Sequence, residues 1–101
     1  MKYATDFVVK TLKDEPYKGD DGAVADIKYI LAQALLADND GAGQPIRGAD
    51  KSRRFDLYMK IKASKDVIEL TSDEVGLCIA ASEIYPTLIY GQVRNYLEQK
   101  D

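Results

Sequence analysis

The strongest local constraint in this chain is a strand that runs directly into the start of a helix. The segment Val67-Ile68-Glu69-Leu70 favours an extended strand, because β-branched and large apolar residues pack well on a pleated surface. Thr71-Ser72-Asp73-Glu74 follows as a Ser/Thr-x-x-Glu capping box, in which side chains satisfy free backbone N–H groups of the first helical turn. The pattern predicts a strand over 67–70 and a helix from Ser72 to about Ile84.

A second apolar helix is expected after Tyr85-Pro86, because proline is favoured at the first position of a helix. The residues that predict its buried side recur at helical spacing: Ile89, Val93, Tyr96 and Leu97. Gly91 lies inside this helix, where glycine costs about 1 kcal/mol relative to alanine. Close approach of a neighbouring helix is the expected reason for it.

The first two thirds of the chain predict a hairpin and two helices. A strand over 5–12 and a short return strand after Asp14-Glu15-Pro16 form the hairpin. Helices are expected over 23–37 and 50–63, joined by a glycine-containing loop over 38–49. The second of these helices has a predicted apolar stripe that consists of Phe55, Tyr58 and Met59 and is widened by Leu57 and Ile61.

These elements predict an α+β fold with about four helices and a small antiparallel sheet, built from the N-terminal hairpin and the strand over 67–70. The length of 101 residues suits one domain spanning 1–101. A chain of this size can bury a real core with little stability to spare.

Composition argues against an enzyme. Histidine is absent, which removes the commonest general base and the commonest metal ligand. The single cysteine, Cys78, lies between Leu77 and Ile79 with no nearby base, and a core role is expected. No phosphate-binding glycine motif is present. We therefore expect no catalytic residue, no metal and no cofactor, and a reducing cytoplasm is the simplest compartment.

Charge is distributed unevenly along the chain. The net charge is −3, which disfavours nucleic acid as a partner, but residues 50–66 carry six basic and three acidic side chains. Arg53, Arg54 and Lys60 are the residues that could contact nucleic acid. The alternatives are a solvated helix face, or a positive block that meets the acidic C-terminal third within one molecule or between two.

The last helix is the candidate protein interface. Tyr90, with Leu88, lies off the main apolar stripe, which indicates a second apolar face that a partner subunit could cover. The candidate interface residues are Ile89, Tyr90, Val93, Tyr96 and Leu97. A homodimer or another oligomer of the chain would use the same face.

Four segments resemble a group of small proteins encoded by tailed bacteriophages and prophages. They are the Ile-Leu-x-x-Ala-Leu-Leu-Ala helix over 30–37, the Arg-Phe-x-Leu-x-x-Lys-Ile helix over 54–61, the Val-Ile-Glu-Leu-Thr-Ser-Asp-Glu segment over 67–74, and the Tyr-Pro-x-Leu-Ile-x-Gly-Gln segment over 85–92. The resemblance implies a phage gene and the cytoplasm of a bacterial host, with no catalytic residue to carry over. We expect a non-enzymatic phage accessory protein that binds a protein partner, either itself or a phage or host protein. A DNA-associated phage regulator using the basic helix over 50–63 is the alternative.

Overall fold

A computed structural model describes residues 1–99. Within them the elements follow one another in this order: β1 (Lys2–Ala4), α1 (Ile27–Leu35), α2 (Gly48–Ala63), β2 (Val67–Glu69), α3 (Ser72–Ala81), a 3₁₀ turn (Ser82–Ile84) and α4 (Thr87–Leu97). Four α-helices and a two-stranded antiparallel sheet among the described residues confirm the α+β class. None of these helices combines the length and hydrophobicity that crossing a bilayer requires.

The sheet joins the beginning of the chain to the segment before the capping box. Tyr3 in β1 lies opposite Ile68 in β2, and both side chains are buried. Beyond the strands, the Thr5 N–H donates to the Asp66 carbonyl over 3.0 Å and the Leu70 N–H donates to the Met1 carbonyl over 2.8 Å. The strand over 67–70 is therefore confirmed, but its partner is residues 2–4 rather than 5–12.

The predicted hairpin forms next to this sheet without joining it. The Tyr17 N–H donates to the Val9 carbonyl over 2.8 Å, and residues 8–18 are linked by single bridges instead of a continuous ladder. Asp14 in the turn has φ 61°, a left-handed conformation that aspartate adopts more readily than most residues. This turn places Leu12 at the tip of the hairpin.

The first helix is shorter than predicted at both ends. Asp26 caps it, accepting the Tyr29 N–H on its carboxylate over 2.9 Å. Residues 23–26 stay extended, since the Ala25 N–H donates to the Tyr17 carbonyl over 2.8 Å. Pairing with the hairpin therefore displaces the first helical turn that the apolar spacing predicts.

The capping box at α3 is confirmed in both directions. The Glu74 N–H donates to the Thr71 hydroxyl over 3.2 Å, and the Thr71 N–H donates to the Glu74 carboxylate over 2.8 Å. The α-helix ends at Ala81, and its last predicted turn is 3₁₀. Pro86 occupies the cap of α4 rather than its first helical position.

The core lies between α1 and the elements that surround it, namely α2, α3 and the 3₁₀ turn. Its largest fully buried apolar side chains are Val9, Ile27, Ile30, Leu31, Ile61, Ile68, Leu70, Val93 and Leu97. These come from every part of the described chain, which is the arrangement expected of one hydrophobic core.

Two packing predictions for the helices are wrong. Phe55 and Met59 in α2 are 52% and 45% exposed, and the buried residues are Arg54, Leu57 and Ile61. Leu57 and Ile61, predicted only to widen the stripe, are therefore its centre, and the buried face of α2 also contains a charged residue. At Gly91 in α4, an added methyl group would meet nothing within 4 Å, so close helix approach does not explain this glycine.

Candidate functional site

Most of the side chains predicted to form the interface are buried in the hydrophobic core. Ile89, Val93 and Leu97 project from α4 into the hydrophobic cluster, with exposed fractions of 6%, 0% and 1%. Val93 and Leu97 are fully buried and leave no surface for a partner, so the prediction is wrong for these two residues. Ile89 still borders an accessible surface described below, and its role in an interface stays a prediction. Tyr90 is half-buried and remains accessible.

Tyr96 makes its ring contact and its hydrogen bond within the chain. Its ring stacks on Phe7 with 4.1 Å between centroids and 9° between planes, and its hydroxyl donates to the Ala4 carbonyl over 2.6 Å. Burial, together with the nearby Asp6 carboxylate, raises the pKa of the Tyr96 hydroxyl. These contacts assign Tyr96 to holding the N-terminal segment on α4 instead of to a partner.

An accessible apolar surface lies where the hairpin meets the start of α4. We call this surface the hairpin groove, and it has a volume of about 580 Å³. Its lining residues are Lys10, Thr11, Leu12, Lys13, Glu15, Tyr17, Pro86, Leu88 and Ile89. Leu12 is 88% exposed and Leu88 is 41% exposed, so two large aliphatic side chains face solvent at one site.

Gln92 fixes the two walls of the hairpin groove relative to each other. Its side-chain carbonyl accepts the Lys10 N–H over 2.9 Å, and its side-chain amide donates to the Lys10 carbonyl over 2.8 Å. This pair of bonds satisfies both backbone groups of one hairpin residue, as a neighbouring strand would. The groove is therefore present before anything binds, which lowers the entropy cost of binding.

The predicted nucleic-acid contacts do not share one free basic face. Arg53 lies 3.7 Å from the Asp50 carboxylate, and Lys60 donates to Glu74 over 2.6 Å. The shallow surface beside Arg53 is also lined by Asp56 and two acidic residues of α3. Carboxylates at this density repel phosphates, so the local charge disfavours a nucleic-acid backbone. Contact through Arg53 and Lys60 stays a prediction.

Arg54 is the third of those predicted contacts, and it lies on the inner face of α2, so its contact with nucleic acid stays a prediction. Its side chain is 8% exposed and lies on the buried stripe of α2 with Leu57 and Ile61. The spacing of i, i+3 and i+7 is visible in the sequence, and it is the signal that could have placed Arg54 on the inner face.

Lys60 and Glu74 connect α2 to the capping box of α3. Burial alone would raise the pKa of Glu74, but the hydrogen bonds from Lys60 and from the Thr71 N–H outweigh it and lower this pKa. The ion pair is partly exposed, which limits its contribution to about 1 kcal/mol or less.

Cys78 lies in the core, as expected. It is fully buried in α3, and burial, followed by the nearby Glu74 carboxylate, raises the pKa of its thiol to about 12. A thiol in this state carries almost no thiolate at neutral pH and is a poor nucleophile. Within residues 1–99, no three side chains among histidine, cysteine, aspartate and glutamate are grouped as a metal site.

The hairpin groove was missed by sequence reasoning. The alternation over 5–12 predicts a strand that includes Leu12, although Lys13, Asp14 and Glu15, which are charged and favour a turn, follow it directly. A single leucine at the edge of a polar turn is the signal that could have identified an exposed anchor. The spacing of the last helix places Leu88 off the main apolar stripe and does not indicate what it contacts.

Comparison of the chain with models of protein families, with curated proteins and with solved structures found no match.

Proposed function

We propose that this protein is a non-enzymatic accessory protein of a phage or prophage that acts in the cytoplasm of a bacterial host. It binds an apolar segment of another protein in the hairpin groove. The exposure of Leu12 beside Leu88 carries this proposal. The phage setting rests on the resemblance of the four sequence segments described above.

The two leucines provide the driving force for binding. Leu12 has almost no contact with its own chain, so a partner that covers it removes a whole leucine side chain from water. Full burial of such a side chain contributes about 1.5–3 kcal/mol. A few side chains usually provide most of the binding energy of an interface, and the two leucines would have this role here.

The charges around the groove select the partner. Lys10 and Lys13 lie on the hairpin side and face only one acidic lining residue, Glu15. The groove is therefore locally positive on a chain whose net charge is −3. An apolar segment flanked by aspartate or glutamate complements both features, and opposite charges at the rim increase the association rate.

A random-peptide library displayed on yeast cells tests this chemistry directly. We expect the full chain to enrich peptides in which apolar residues are flanked by Asp or Glu. Leu12→Asp and Leu88→Asp should each reduce the affinity of these peptides at least tenfold. Leu12 is exposed, and an aspartate at position 88 suits the first turn of a helix, so neither variant is expected to unfold the chain.

Val24→Asp is the matched control, because Val24 is 48% exposed and lies outside the groove. This variant should bind the selected peptides as the wild type does. Lys13→Glu should weaken binding at low salt more than Lys18→Glu, since Lys18 does not line the groove. Failure to enrich any peptide, or equal binding by the wild type and Leu12→Asp, would contradict the proposal.

Analytical ultracentrifugation distinguishes binding of a different protein from self-association of the chain. We expect the chain to remain a monomer at high micromolar concentration. A dimer that dissociates in Leu12→Asp would show that the groove is occupied by another copy, and would replace the proposed partner.

A further inference from the structure

Arg54 is a buried charge without a partner. Its side chain is 8% exposed, and its Nε and Nη1 atoms have no hydrogen-bond acceptor within residues 1–99. Arginine retains its positive charge in proteins, and burying an uncompensated charge is strongly unfavourable. Such groups are rare in folded proteins, and each one requires an explanation.

Arg54 is one of the residues that line an open depression of about 560 Å³, which we call the Arg54 pocket. Its other walls are residues 44–47, Asp40 and Asp50. This volume lies within the range of small-molecule sites. Arg47, Asp50 and Arg54 follow one another at intervals of three and four residues, which places them along one side of the beginning of α2.

The beginning of α2 adds backbone donors to the same place. Arg47 occupies the cap position and makes no side-chain capping bond, and the first backbone bond of the helix is from the Lys51 N–H to the Arg47 carbonyl. The N–H groups of the preceding turn thus keep their capacity to bind an acceptor. The start of a 16-residue helix also carries partial positive charge.

The two carboxylates that line the pocket make no hydrogen bond or ion pair with Arg54 in the part of the chain that the structure describes. One oxygen of Asp40 accepts the N–H groups of Ala42 and Gln44, both over 2.9 Å, and so closes its own turn. Asp50 lies 3.7 Å from Arg53. Both acidic residues that line the pocket with Arg54 therefore have other partners within the chain.

We propose that the Arg54 pocket binds a phosphate group, either as the free ion or as part of a small phosphorylated molecule. Arg54 supplies an uncompensated positive charge, Arg47 supplies a second one, and the first turn of α2 supplies backbone N–H groups. Binding places a compensating negative charge beside Arg54. The inference does not depend on the hairpin groove, which is formed by other residues.

Thermal unfolding in phosphate and in chloride at equal ionic strength is the first test. A ligand that binds only the folded state raises its melting temperature. We expect phosphate to raise the Tm of the wild type by several degrees, and to shift the Arg54 Nε–H resonance in a ¹H–¹⁵N spectrum in a saturable manner. Adenosine monophosphate in place of phosphate distinguishes the two sources, since tighter binding of the nucleotide indicates a phosphorylated small molecule.

Arg54→Met and Arg53→Met form a matched pair on the same helix. Without phosphate, Arg54→Met should melt at a higher temperature than the wild type, because it removes an unpaired buried charge. With phosphate it should show no further rise, whereas Arg53→Met should respond as the wild type does. Arg47→Gln, at an exposed position, should weaken phosphate binding several-fold without a large change in the Tm of the unliganded chain.

Two results would overturn the proposal. One is a phosphate-induced rise in Tm of the same size in Arg54→Met and in the wild type. The other is a wild-type chain whose Tm and Arg54 resonance respond identically to phosphate and chloride. If Arg54→Met fails to fold, the response of Arg47→Gln and the resonance of Arg54 in the wild type decide the question.

Discussion

The hydroxyl group of Tyr3 donates a hydrogen bond to the carbonyl oxygen of Leu97 over 2.5 Å, which links residues 94 positions apart in the sequence. Tyr3 lies in the middle of β1, and Leu97 is the last residue of α4. This bond satisfies one of the carbonyl groups that a helix leaves free at its C-terminal end. It also attaches both ends of the described chain to the same core.

Replacement of Tyr3 by phenylalanine removes this bond and keeps the ring. The Leu97 carbonyl then loses its buried donor, so we expect the free energy of unfolding to fall by about 1–3 kcal/mol. Chemical denaturation with urea measures the loss. Tyr90→Phe is the control, because Tyr90 is half-buried and its hydroxyl has no hydrogen bond within residues 1–99. Equal stability of the Tyr3→Phe variant and the wild type would show that this bond does not stabilise the fold.

Leu97 lies on the buried side of α4, whereas Tyr90 lies on its accessible side. Leu97→Ala should lower the free energy of unfolding by about 2–5 kcal/mol, because it leaves a cavity in a closely packed region. Tyr90→Ala should cost much less, since this side chain is only half-buried. The midpoint of urea denaturation compares the two. A larger effect at Tyr90 would mean that the buried side of α4 has been assigned incorrectly.

Replacement of three different glycines by alanine is expected to change the free energy of unfolding in opposite directions. Gly91→Ala and Gly76→Ala should each raise the free energy of unfolding by up to about 1 kcal/mol, because both lie inside helices and an added methyl group meets nothing within 4 Å. Gly41→Ala should destabilise the chain, since the methyl group would lie 2.8 Å from the Glu83 carbonyl oxygen. Thermal unfolding of the three variants checks these signs. Destabilisation by Gly91→Ala would indicate a close approach that the structure does not contain.

Glu74 makes stability depend on pH in the acidic range. The folded chain lowers the pKa of Glu74 below its ordinary value of 4.5, so the folded state favours the charged carboxylate. Its contribution to stability is fully present above that value and is lost as the pH falls through the lower, folded-state pKa. Glu74→Gln should therefore reduce the loss of stability between about pH 5 and pH 3. Urea denaturation at several pH values measures the slope, and an unchanged slope would contradict this role.

Cys78 should be unreactive in the folded protein. Because its pKa is raised to about 12 and its side chain is fully buried, a thiol reagent such as 5,5′-dithiobis(2-nitrobenzoic acid) should not modify it at pH 8 in native buffer. In concentrated guanidinium chloride the same reagent should react at once, which provides the internal control. Rapid modification in native buffer would show that α3 opens readily or that the thiol is accessible.

The features that local sequence determines were predicted correctly. The capping box at Thr71 and Glu74 forms as expected, because all of its atoms lie within one helical turn. The buried side of α4 and the core position of Cys78 also follow from helical spacing in short segments. In each case, residues no more than about two turns apart contain the whole signal, so distant partners do not alter it.

The candidate sites depend on distant parts of the chain, and only the tertiary structure decided them. Residues 23–26 favour a helix locally, but they pair with the hairpin because its backbone groups offer hydrogen bonds. Leu12 becomes an exposed anchor only because Gln92, 80 positions later, holds the hairpin against α4. Arg54 becomes a buried charge because α1 covers the side of α2 on which it lies. Short-range sequence determined the capping box and the buried side of α4, whereas long-range packing determined where α1 begins, which strands pair and which side chains remain free to bind.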